Sequence, residues 1–541
     1  MNNLNAYTVH FETLGCKLNQ IESESLAKCF ADCGFAISME HETAGDTAQT
    51  EPVICIINTC TVTAKAEQKA RRLIRLLLSK FSKTAVIVTG CYAQVEPAAI
   101  EAIDPRVVAV PGTLKEEMAD FAPYFARQFA QIEENINDFN FASLLCEKIR
   151  GWPVLKNCDF KTLQAKTPAP KTETVSTAPA QKAQNNKLKP QQAQNIPSLM
   201  QEFAALPGTG AKFKLVTDTF YNHSRASLKI QDGCSRHCSF CRICIARSKP
   251  VSLDAAEVLA RVLQIEQSGQ REIVITGVNL SLYKSPNPFS LQQNGENKQI
   301  FTPELQSKPF FDLADLLEYL LLNTKLVSFR ISSLYPERVD ESLCRIIKSD
   351  RIRPHFHLSV QSGSDAILRA MHRPYFAQTV VNAVQKIRSI KPDAFIACDI
   401  IAGFPGESDA DFDLTKELCR KCNFTWIHAF PFSPRPGTEA YSMKNQVPQR
   451  IANDRVKWLC AEAEKNKKNY IEGFIGKEVL AIVEKRRTNP VRAVAENFLH
   501  LELTGDTNQL IALAGTEVRV KIVAPKSTGL NDEIECTAVV V

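Results

Sequence analysis

Three cysteines lie close together near the middle of the chain, at Cys234, Cys238 and Cys241, with the spacing C-x3-C-x2-C. Three thiolates with this spacing can bind three irons of a [4Fe–4S] cube and leave the fourth iron without a protein ligand. A small molecule can then chelate the open iron. The alternative is a structural zinc site, in which His237 or Cys244 would supply the fourth ligand.

A second set of cysteines is spread over the first hundred residues. Each follows a predicted strand: Cys16 follows residues 7–11, Cys60 follows residues 53–57, and Cys91 follows residues 85–88. Because the carboxyl ends of parallel strands share one edge of a sheet, we expect the three thiols to converge there. We also expect nearby helix N-termini to stabilise their thiolates. The alternative is three buried core cysteines, which is how we interpret Cys55, at an apolar position within a strand.

The elements that must position these cysteines fall into successive domains. Over residues 1–150, strand and helix patterns alternate, which predicts an α/β domain with a parallel sheet. Residues 151–215 contain a tract of Ala, Pro, Gln, Thr and Lys, which predicts a low-complexity linker. Six strand–helix units follow in residues 216–450. They are too few for a closed eight-stranded barrel, so we expect a partial (β/α)6 barrel, with residues 284–309 as an inserted loop.

The remaining residues change pattern again. A connecting helix is predicted for residues 451–475. Short strands of alternating character fill residues 476–541 and predict a small β-barrel.

Composition limits the function classes. The chain has 541 residues with 44% hydrophobic and 23% charged residues, which excludes a wholly disordered chain or a fibre. Its formal net charge of +6 is too small to indicate a nucleic-acid partner alone. We find no apolar run long enough to span a membrane and no export signal at the start, so we expect a cytoplasmic protein without a membrane partner. The 18 cysteines then favour reduced thiols, some of them binding metal.

The central cysteine motif resembles that of the radical S-adenosylmethionine (radical SAM) superfamily. Phe240 precedes the third cysteine, and the motif follows the first strand of a six-unit barrel. The resemblance favours iron over zinc. It implies that the amino and carboxylate groups of S-adenosylmethionine chelate the open iron, and that reductive cleavage of this cofactor yields a 5′-deoxyadenosyl radical.

Loops at the ends of later barrel strands agree with this superfamily. They contain Gly277 after the second strand, Ser362-Gly363 after the fourth and Gly403-Phe404-Pro405-Gly406 after the fifth. The residues predicted to contact S-adenosylmethionine are Gly277, Asn279, Ser359, Gln361, Asp399 and Gly403. The alternative is that some of the polar side chains only cap their loops.

The N-terminal motifs narrow the resemblance. Residues 15–20 read Gly-Cys-Lys-Leu-Asn-Gln, residues 58–62 read Asn-Thr-Cys-Thr-Val, and residues 90–94 read Gly-Cys-Tyr-Ala-Gln. Together with the two predicted barrels, they resemble the methylthiotransferase family. The resemblance implies that Cys16, Cys60 and Cys91 hold an auxiliary [4Fe–4S] cluster, giving two clusters in all. It also implies that the C-terminal barrel is an RNA-binding TRAM domain.

Within that family, residues 16–20 and 354–359 resemble the tRNA N6-threonylcarbamoyladenosine methylthiotransferases. This implies transfer of a methylthio group to C2 of that nucleoside at position 37 of tRNA, next to the anticodon. An electron donor such as flavodoxin or ferredoxin would be a further partner. No catalytic acid or base can be named. The alternatives are another tRNA adenosine or a ribosomal protein as substrate, or an iron–sulfur scaffold for RNA binding or redox without radical chemistry.

One position departs from the family pattern. Cys244 stands where family members usually have proline, three residues after the last cysteine of the central motif. It adds a fourth thiol beside that motif. We expect it to be a spectator.

Overall fold

The structure is a computed structural model that describes residues 4–39, 51–138, 140–158, 213–217, 224–291, 300–485, 490–526 and 534–541. Most of the predicted linker (residues 159–212) lies outside the described residues, as do residues 292–299 of the predicted loop. No helix in the described ranges combines the length and apolar character that crossing a membrane requires.

The N-terminal domain is a five-stranded parallel sheet in the order β2–β1–β3–β4–β5. Its strands are β1 (Thr8–Thr13), β2 (Ala36–Ser38), β3 (Ile54–Thr59), β4 (Ala85–Gly90) and β5 (Val107–Ala109). Its helices are α1 (Lys17–Asp32), α2 (Ala64–Lys80), α3 (Cys91–Val95), α4 (Pro97–Glu101), α5 (Met118–Phe129), α6 (Phe141–Arg150) and α7 (Pro153–Lys156). Strands β3 and β4 are buried at every residue, as their continuous apolar runs predict for a sheet covered on both faces. The predicted α/β class is confirmed.

The middle domain is the predicted partial barrel. Its parallel strands are β6 (Ala226–Asp232), β8 (Glu272–Gly277), β11 (Ser328–Ile331), β12 (His355–Gln361), β13 (Phe395–Ala402) and β14 (Trp426–Pro431), and β7 (Val251–Ser252) adds an antiparallel edge to β6. The first three and last three strands form two sheets, joined by the bridges Phe329–Ile352 and Leu334–Leu358. Successive side chains of a strand point to opposite faces. On β12, Phe356, Leu358 and Val360 pack in the outer core, so His357 and Ser359 point toward the lumen.

Helices connect and follow the strands of this domain. They are α8 (Ile243–Arg247), α9 (Ala255–Gln267), α10 (Pro303–Ser307), α11 (Leu313–Asn323), α12 (Glu341–Ile346), α13 (Asp365–Ala370), α14 (Ala377–Ile390), α15 (Asp409–Cys422), α16 (Glu439–Ser442) and the connecting helix α17 (Gln449–Glu472).

The insertion at residues 284–309 is more than a loop, so that expectation was partly wrong. Strand β9 (Ser285–Pro286) pairs antiparallel with β10 (Phe310–Phe311), and α10 lies between them. The buried Asn287 amide donates to the carbonyls of Leu305 and Lys308 at 2.7 and 2.6 Å, and the Leu305 side chain is buried. Two buried side chains therefore order a segment whose composition is that of a loop.

The C-terminal domain is a closed barrel in the order β15–β16–β17–β19–β18. Its elements are β15 (Glu478–Val483), β16 (Arg492–Ala495), β17 (His500–Leu503), α18 (Thr507–Ala512), β18 (Glu517–Pro525) and β19 (Cys536–Val540). Its core includes Phe395 and Ala397 of β13, so it packs against the barrel of the middle domain. The Phe498 ring lies 4.3 Å from the His355 ring and joins the two domains.

Both ends of the segment predicted as a linker pack against the N-terminal domain. Trp152 and Leu155, at one end, and Leu215, at the other, belong to its hydrophobic core. Phe213 packs in the core of the middle domain. These few large apolar residues lie outside the tract whose composition suggested a tether.

Candidate cofactor sites

The structure brings Cys16, Cys60 and Cys91 together at the carboxyl edge of the N-terminal sheet. Cys16 is the N-cap of α1, Cys60 directly follows β3, and Cys91 is the first residue of α3. A Cβ atom placed on Gly15 would lie 2.7 Å from the Cys60 Cβ, so the first two loops touch. The geometry thus agrees with the expected convergence.

Two asparagines and a glycine hold these loops in contact. The Asn19 amide donates to the carbonyls of Leu14 and Thr59, at 2.9 and 3.1 Å, and so ties the Cys16 loop to the Cys60 loop. Asn58 donates to the Asn19 carbonyl at 3.0 Å. Gly90 has φ of +97°, and a Cβ there would lie 2.4 Å from the Thr59 carbonyl oxygen. This position therefore requires glycine, because both the backbone conformation and the space exclude a side chain.

The expected stabilisation of thiolates by helix N-termini is not observed at two of these cysteines. Burial raises the pKa of Cys60 to about 12, with a further contribution from Cys91. Although Cys16 as a residue is exposed, desolvation of its thiol also raises the pKa of Cys16, and Arg247 opposes the shift. Desolvation of the charged form outweighs the helix dipole here. A bound iron would have to supply the positive charge that deprotonates these thiols.

The middle cysteines occupy the loop after β6. The backbone N–H of Arg236 donates to Cys234 Sγ at 3.5 Å, and that of Ile243 donates to Cys241 Sγ at 3.5 Å. Such N–H···S hydrogen bonds stabilise thiolates and tune iron–sulfur clusters. The donors around these sulfurs therefore fit a bound cluster.

Neither cysteine triplet has the geometry of a single-ion site. A tetrahedral zinc with Zn–S bonds of about 2.3 Å holds its sulfurs within about 4 Å of one another. Within the described ranges, the only group of three or more His, Cys, Asp or Glu ligand atoms within 4.8 Å of one another is Glu22, Glu116 and Asp232. In each triplet at least one pair of sulfurs is therefore more than 4.8 Å apart.

A residue that the sequence did not single out lies against the middle triplet. Arg373 Nη1 donates to Cys238 Sγ at 3.4 Å and to the Tyr335 hydroxyl at 2.7 Å. Its guanidinium lies 4.6 Å from the Tyr335 ring centre and 5.5 Å from that of Tyr375. These neighbours fix a positive charge at the sulfur. No spacing rule identifies Arg373, which follows α13, more than 130 residues beyond the cysteine.

The residues predicted to contact S-adenosylmethionine are not all in one place. Asn279 Nδ2 lies 3.8 Å from Cys234 Sγ, at the cysteine loop. Gly277 packs against Gln231, where a Cβ would approach to 2.9 Å. Gly403 instead abuts the connecting helix, because a Cβ there would lie 2.5 Å from the Ala452 Cβ.

The other three predicted contacts lie on the central strands of the barrel. Ser359 and Gln361 are buried on β12, where the Ser359 carbonyl accepts a hydrogen bond from Tyr375. Asp399 on β13 lies 3.2 Å from His357 Nε2.

The neighbouring strand β14 adds a second histidine, His428, near Asp399. The His357 ring lies 5.2 Å from the His428 ring. Although His428 as a residue is exposed, desolvation of its ring lowers the pKa of His428 to about 4. His428 is therefore neutral near pH 7. Neutral imidazoles can donate and accept hydrogen bonds, which suits an uncharged base.

Cys244 is not remote from the middle triplet. Its thiol hydrogen-bonds to Cys234, and this bond is the largest cause that lowers the pKa of Cys234 to about 6. The residue that replaces the usual proline thus contacts a predicted cluster ligand.

Comparisons with known proteins cover both cysteine-bearing domains. The profile of "Uncharacterized protein family UPF0004" matches residues 8–112, and that of "Radical SAM superfamily" matches residues 228–419. Threonylcarbamoyladenosine tRNA methylthiotransferase MtaB of Treponema pallidum is 40% identical over 95% of this chain and 98% of its own length. The protein of the same name from Thermotoga maritima is 30% identical over 88% of this chain and 86% of its own length. A tRNA-2-methylthio-N(6)-dimethylallyladenosine synthase of Bartonella bacilliformis is 31% identical, over 57% of this chain and 63% of its own.

Proposed function

The chain belongs to the radical SAM tRNA methylthiotransferase family, and we propose that it modifies N6-threonylcarbamoyladenosine at position 37 of tRNA, next to the anticodon. The modification replaces the hydrogen at C2 of the adenine with a methylthio group. In this proposal, Cys234, Cys238 and Cys241 hold the [4Fe–4S] cluster that binds S-adenosylmethionine. Cys16, Cys60 and Cys91 hold a second, auxiliary [4Fe–4S] cluster.

One observation carries the proposal: the loops of the two cysteine triplets touch. Arg242, next to Cys241, reaches the hydroxyl of Thr61, next to Cys60, at 3.4 Å. A sulfur source and a radical source must act on the same carbon of one bound substrate, which requires two adjoining sites. A scaffold that only binds RNA has no such requirement.

The cofactors would supply the radical that removes the C2 hydrogen and the methylated sulfur that replaces it. The protein's own groups then have simpler tasks. Arg373 and Asn279 donate N–H groups to the sulfurs of Cys238 and Cys234, and so orient them. The neutral imidazole of His428, beside the His357 ring, offers hydrogen bonds to an uncharged base in the lumen.

Each domain has a proposed role. Residues 1–150 carry the auxiliary site and residues 216–450 the radical site. Residues 476–541, the closed β-barrel, bind the tRNA as a TRAM domain, with residues 151–215 and 451–475 as connections. A one-electron donor such as flavodoxin or ferredoxin would reduce the radical site.

The choice of nucleoside rests on the extent of similarity. The relatives named for threonylcarbamoyladenosine match over at least 86% of their length. The relatives named for dimethylallyladenosine match over 63% and 69% of theirs. The motif at residues 15–20 also reads Gly-Cys-Lys-Leu-Asn-Gln, the pattern that favoured the first group.

The test uses the full chain, loaded with iron and sulfide under anaerobic conditions. It is incubated with S-adenosylmethionine, dithionite and tRNA from a strain that lacks this gene, and the nucleosides are separated and identified by mass spectrometry. We expect 2-methylthio-N6-threonylcarbamoyladenosine on the tRNA and release of 5′-deoxyadenosine. A matched tRNA that carries N6-isopentenyladenosine should remain unmodified.

Two results would contradict the proposal. Methylthiolation of only the isopentenyladenosine tRNA would assign the other nucleoside. Release of 5′-deoxyadenosine without any methylthio product on either tRNA would leave a radical SAM enzyme with a different reaction.

A further inference from the structure

Two buried clusters of ion pairs, called the first and the second bridge, join the N-terminal domain to the middle domain. Each contacts the loops that carry the cysteines. The first bridge contains three carboxylates and three cations, all buried. Its members are Glu22, Lys115 and Glu116 from the N-terminal domain and Lys229, Asp232 and Arg247 from the middle domain. Equal numbers of opposite charges account for all three carboxylates, so this cluster has no need of a metal ion.

Arg247 is the centre of the first bridge. Its Nη1 donates to Glu22 Oε1 at 2.9 Å and to Asp232 Oδ1 at 3.2 Å, while its Nη2 donates to Asn19 Oδ1 at 2.8 Å. Asn19 is the residue whose amide ties the Cys16 loop to the Cys60 loop. A single guanidinium thus contacts the support of two N-terminal cysteines.

The same guanidinium also fixes the start of the middle cysteine loop. Asp232 Oδ1 accepts the backbone N–H of Gly233 at 2.7 Å, and Gly233 directly precedes Cys234. The backbone N–H of Cys234 donates to the carbonyl of Ser248, the residue after Arg247, at 3.1 Å. The first bridge therefore links the supports of both cysteine sites.

The second bridge is centred on the buried carboxylate of Glu67. Arg242 Nη1 donates to Glu67 Oε1 at 3.3 Å, Arg435 also donates to it, and the Thr61 hydroxyl donates at 2.5 Å. Arg242 further reaches Glu96 at 3.2 Å. Since Thr61 follows Cys60 and Arg242 follows Cys241, this bridge also ties one cysteine loop to the other.

Stability alone does not account for two such bridges. Well-packed apolar residues of similar volume often stabilise a fold as well as a buried ion pair does, whereas removing one partner is costly. What ion pairs with several directed hydrogen bonds add is geometric register. Both arginines lie within six residues, 242–247, immediately after the middle triplet.

We propose that Arg242 and Arg247 are positioning residues that hold the two cysteine sites in one fixed register. This rests on the proposed function, because the register matters only if both sites act on one substrate atom. Neither arginine need touch the substrate. Each would act through the loop that carries a cysteine.

The test compares Arg242→Gln and Arg247→Gln with the conservative variants Arg242→Lys and Arg247→Lys in the loaded full-length enzyme. The matched controls are Arg106→Gln and Arg351→Gln. Both control arginines make several hydrogen bonds. Arg106 donates to Asp104 and to the Phe81 carbonyl, and Arg351 donates to Thr324 and to the Leu321 carbonyl.

Three quantities are measured. They are iron per chain, methylthio product formed per 5′-deoxyadenosine released, and the magnetic interaction between the two reduced clusters in the EPR spectrum. The last depends on cluster separation and needs no substrate.

We expect both glutamine variants to keep their iron and to release 5′-deoxyadenosine at close to the normal rate. Product per 5′-deoxyadenosine should fall by about tenfold to a hundredfold, the loss that a small misplacement of reacting groups causes. The cluster–cluster interaction should weaken. The lysine variants should recover part of both losses, and the controls should behave as the wild type does.

An unchanged product ratio in both glutamine variants would overturn the proposal. So would iron loss in proportion to product loss, because the arginines would then only help to retain a cofactor. If a single variant fails to fold, the same test uses the double variants Glu67→Gln/Arg242→Gln and Glu22→Gln/Arg247→Gln. Each double variant removes one carboxylate and one guanidinium together. If the wild type makes no methylthio product, the proposed function is wrong. The cluster–cluster interaction in the EPR spectrum then tests the positioning role alone, and an interaction that is unchanged in the glutamine variants would overturn that role.

Discussion

The two cysteine triplets are built in opposite ways. Cys234, Cys238 and Cys241 lie on one loop, with backbone N–H groups of that loop donating to two of their sulfurs. Cys16 and Cys60 are 44 residues apart in the chain and meet only because β1 and β3 are neighbours in the sheet. One site is encoded by local spacing and the other by the topology of a domain.

This difference has a physical consequence. A local loop keeps its three cysteines close together through the short chain between them, even where long-range contacts such as that of Arg373 with Cys238 loosen. A site assembled from three strand ends depends on every contact that keeps those ends together, such as the Asn19 amide and the tight fit at Gly90. The N-terminal site should therefore be the more easily lost.

The largest effects should come from removing one cysteine of each triplet. Cys238→Ala should abolish release of 5′-deoxyadenosine, because a cube that loses one of three thiolates is poorly held. Cys60→Ala should abolish methylthio transfer while 5′-deoxyadenosine release persists, since the middle loop is intact. Iron content, 5′-deoxyadenosine and methylthio product are measured for each variant.

The buried strand cysteine Cys55 supplies the control for this pair. It is fully buried in β3, and Cys55→Ala should leave both activities unchanged. Full iron and full methylthio transfer in Cys60→Ala would show that the N-terminal cysteines are ordinary core residues.

A smaller effect should follow from crowding the N-terminal site without touching a cysteine. Gly90→Ala places a Cβ 2.4 Å from the Thr59 carbonyl oxygen at φ of +97°, so strain of about 1–3 kcal/mol plus a backbone shift is expected. Iron should fall toward the amount of one cluster, while 5′-deoxyadenosine release continues. Gly269→Ala is the matched control, because its φ is +88° and no atom lies within 4 Å of the added Cβ. Equal iron loss in both variants would contradict the argument.

Much of this architecture could be predicted from the sequence because its strands and helices follow repeated patterns of apolar and polar residues. The alternation of apolar runs with amphipathic helices gave the parallel sheets, and alternating short strands gave the small barrel. Convergence of Cys16, Cys60 and Cys91 followed from a general property of parallel sheets: all strand ends of one kind share an edge. No local spacing among those three cysteines was needed.

Contacts that join distant parts of the chain could not be predicted. Nothing in the sequence pairs Arg247 with Glu22, 225 residues away, or places Arg373 against Cys238. The expectation for helix N-termini failed because the degree of burial at Cys60, which decides its pKa, depends on tertiary packing. Gly403 likewise packs against Ala452 of a helix that comes later in the chain.

A more subtle difference between the two sites should appear in their reduction potentials. Arg373→Gln removes a positive charge and an N–H donor from Cys238, so the potential of the middle cluster should fall by some tens of millivolts. The N-terminal cluster should keep its potential, and redox titration followed by EPR measures both. Arg71→Gln, which removes the hydrogen bond to the Tyr92 hydroxyl beside Cys91, is the control on the other side. A shift of both potentials in Arg373→Gln would mean that the two sites are not electrically distinct.

The smallest expected effect concerns acid, to which the N-terminal cysteine region should not respond. Burial lowers the pKa of His500 to about 3, below the value of about 6.5 for an unfolded histidine. Its contribution to stability is therefore complete above pH 6.5 and declines as the pH falls toward 3, reaching a loss of about 1 kcal/mol at pH 5.5. In the first bridge, by contrast, Arg247 and Lys115 hold the pKa of Glu22 well below its usual range, so the ion pairs of Glu22 persist in mild acid.

Hydrogen exchange, corrected for the intrinsic effect of pH, should show faster opening of β17 at pH 5.5 than at pH 7.5 and no change in α1. His500→Gln should remove part of that response, and equal acid sensitivity in α1 and β17 would contradict this account.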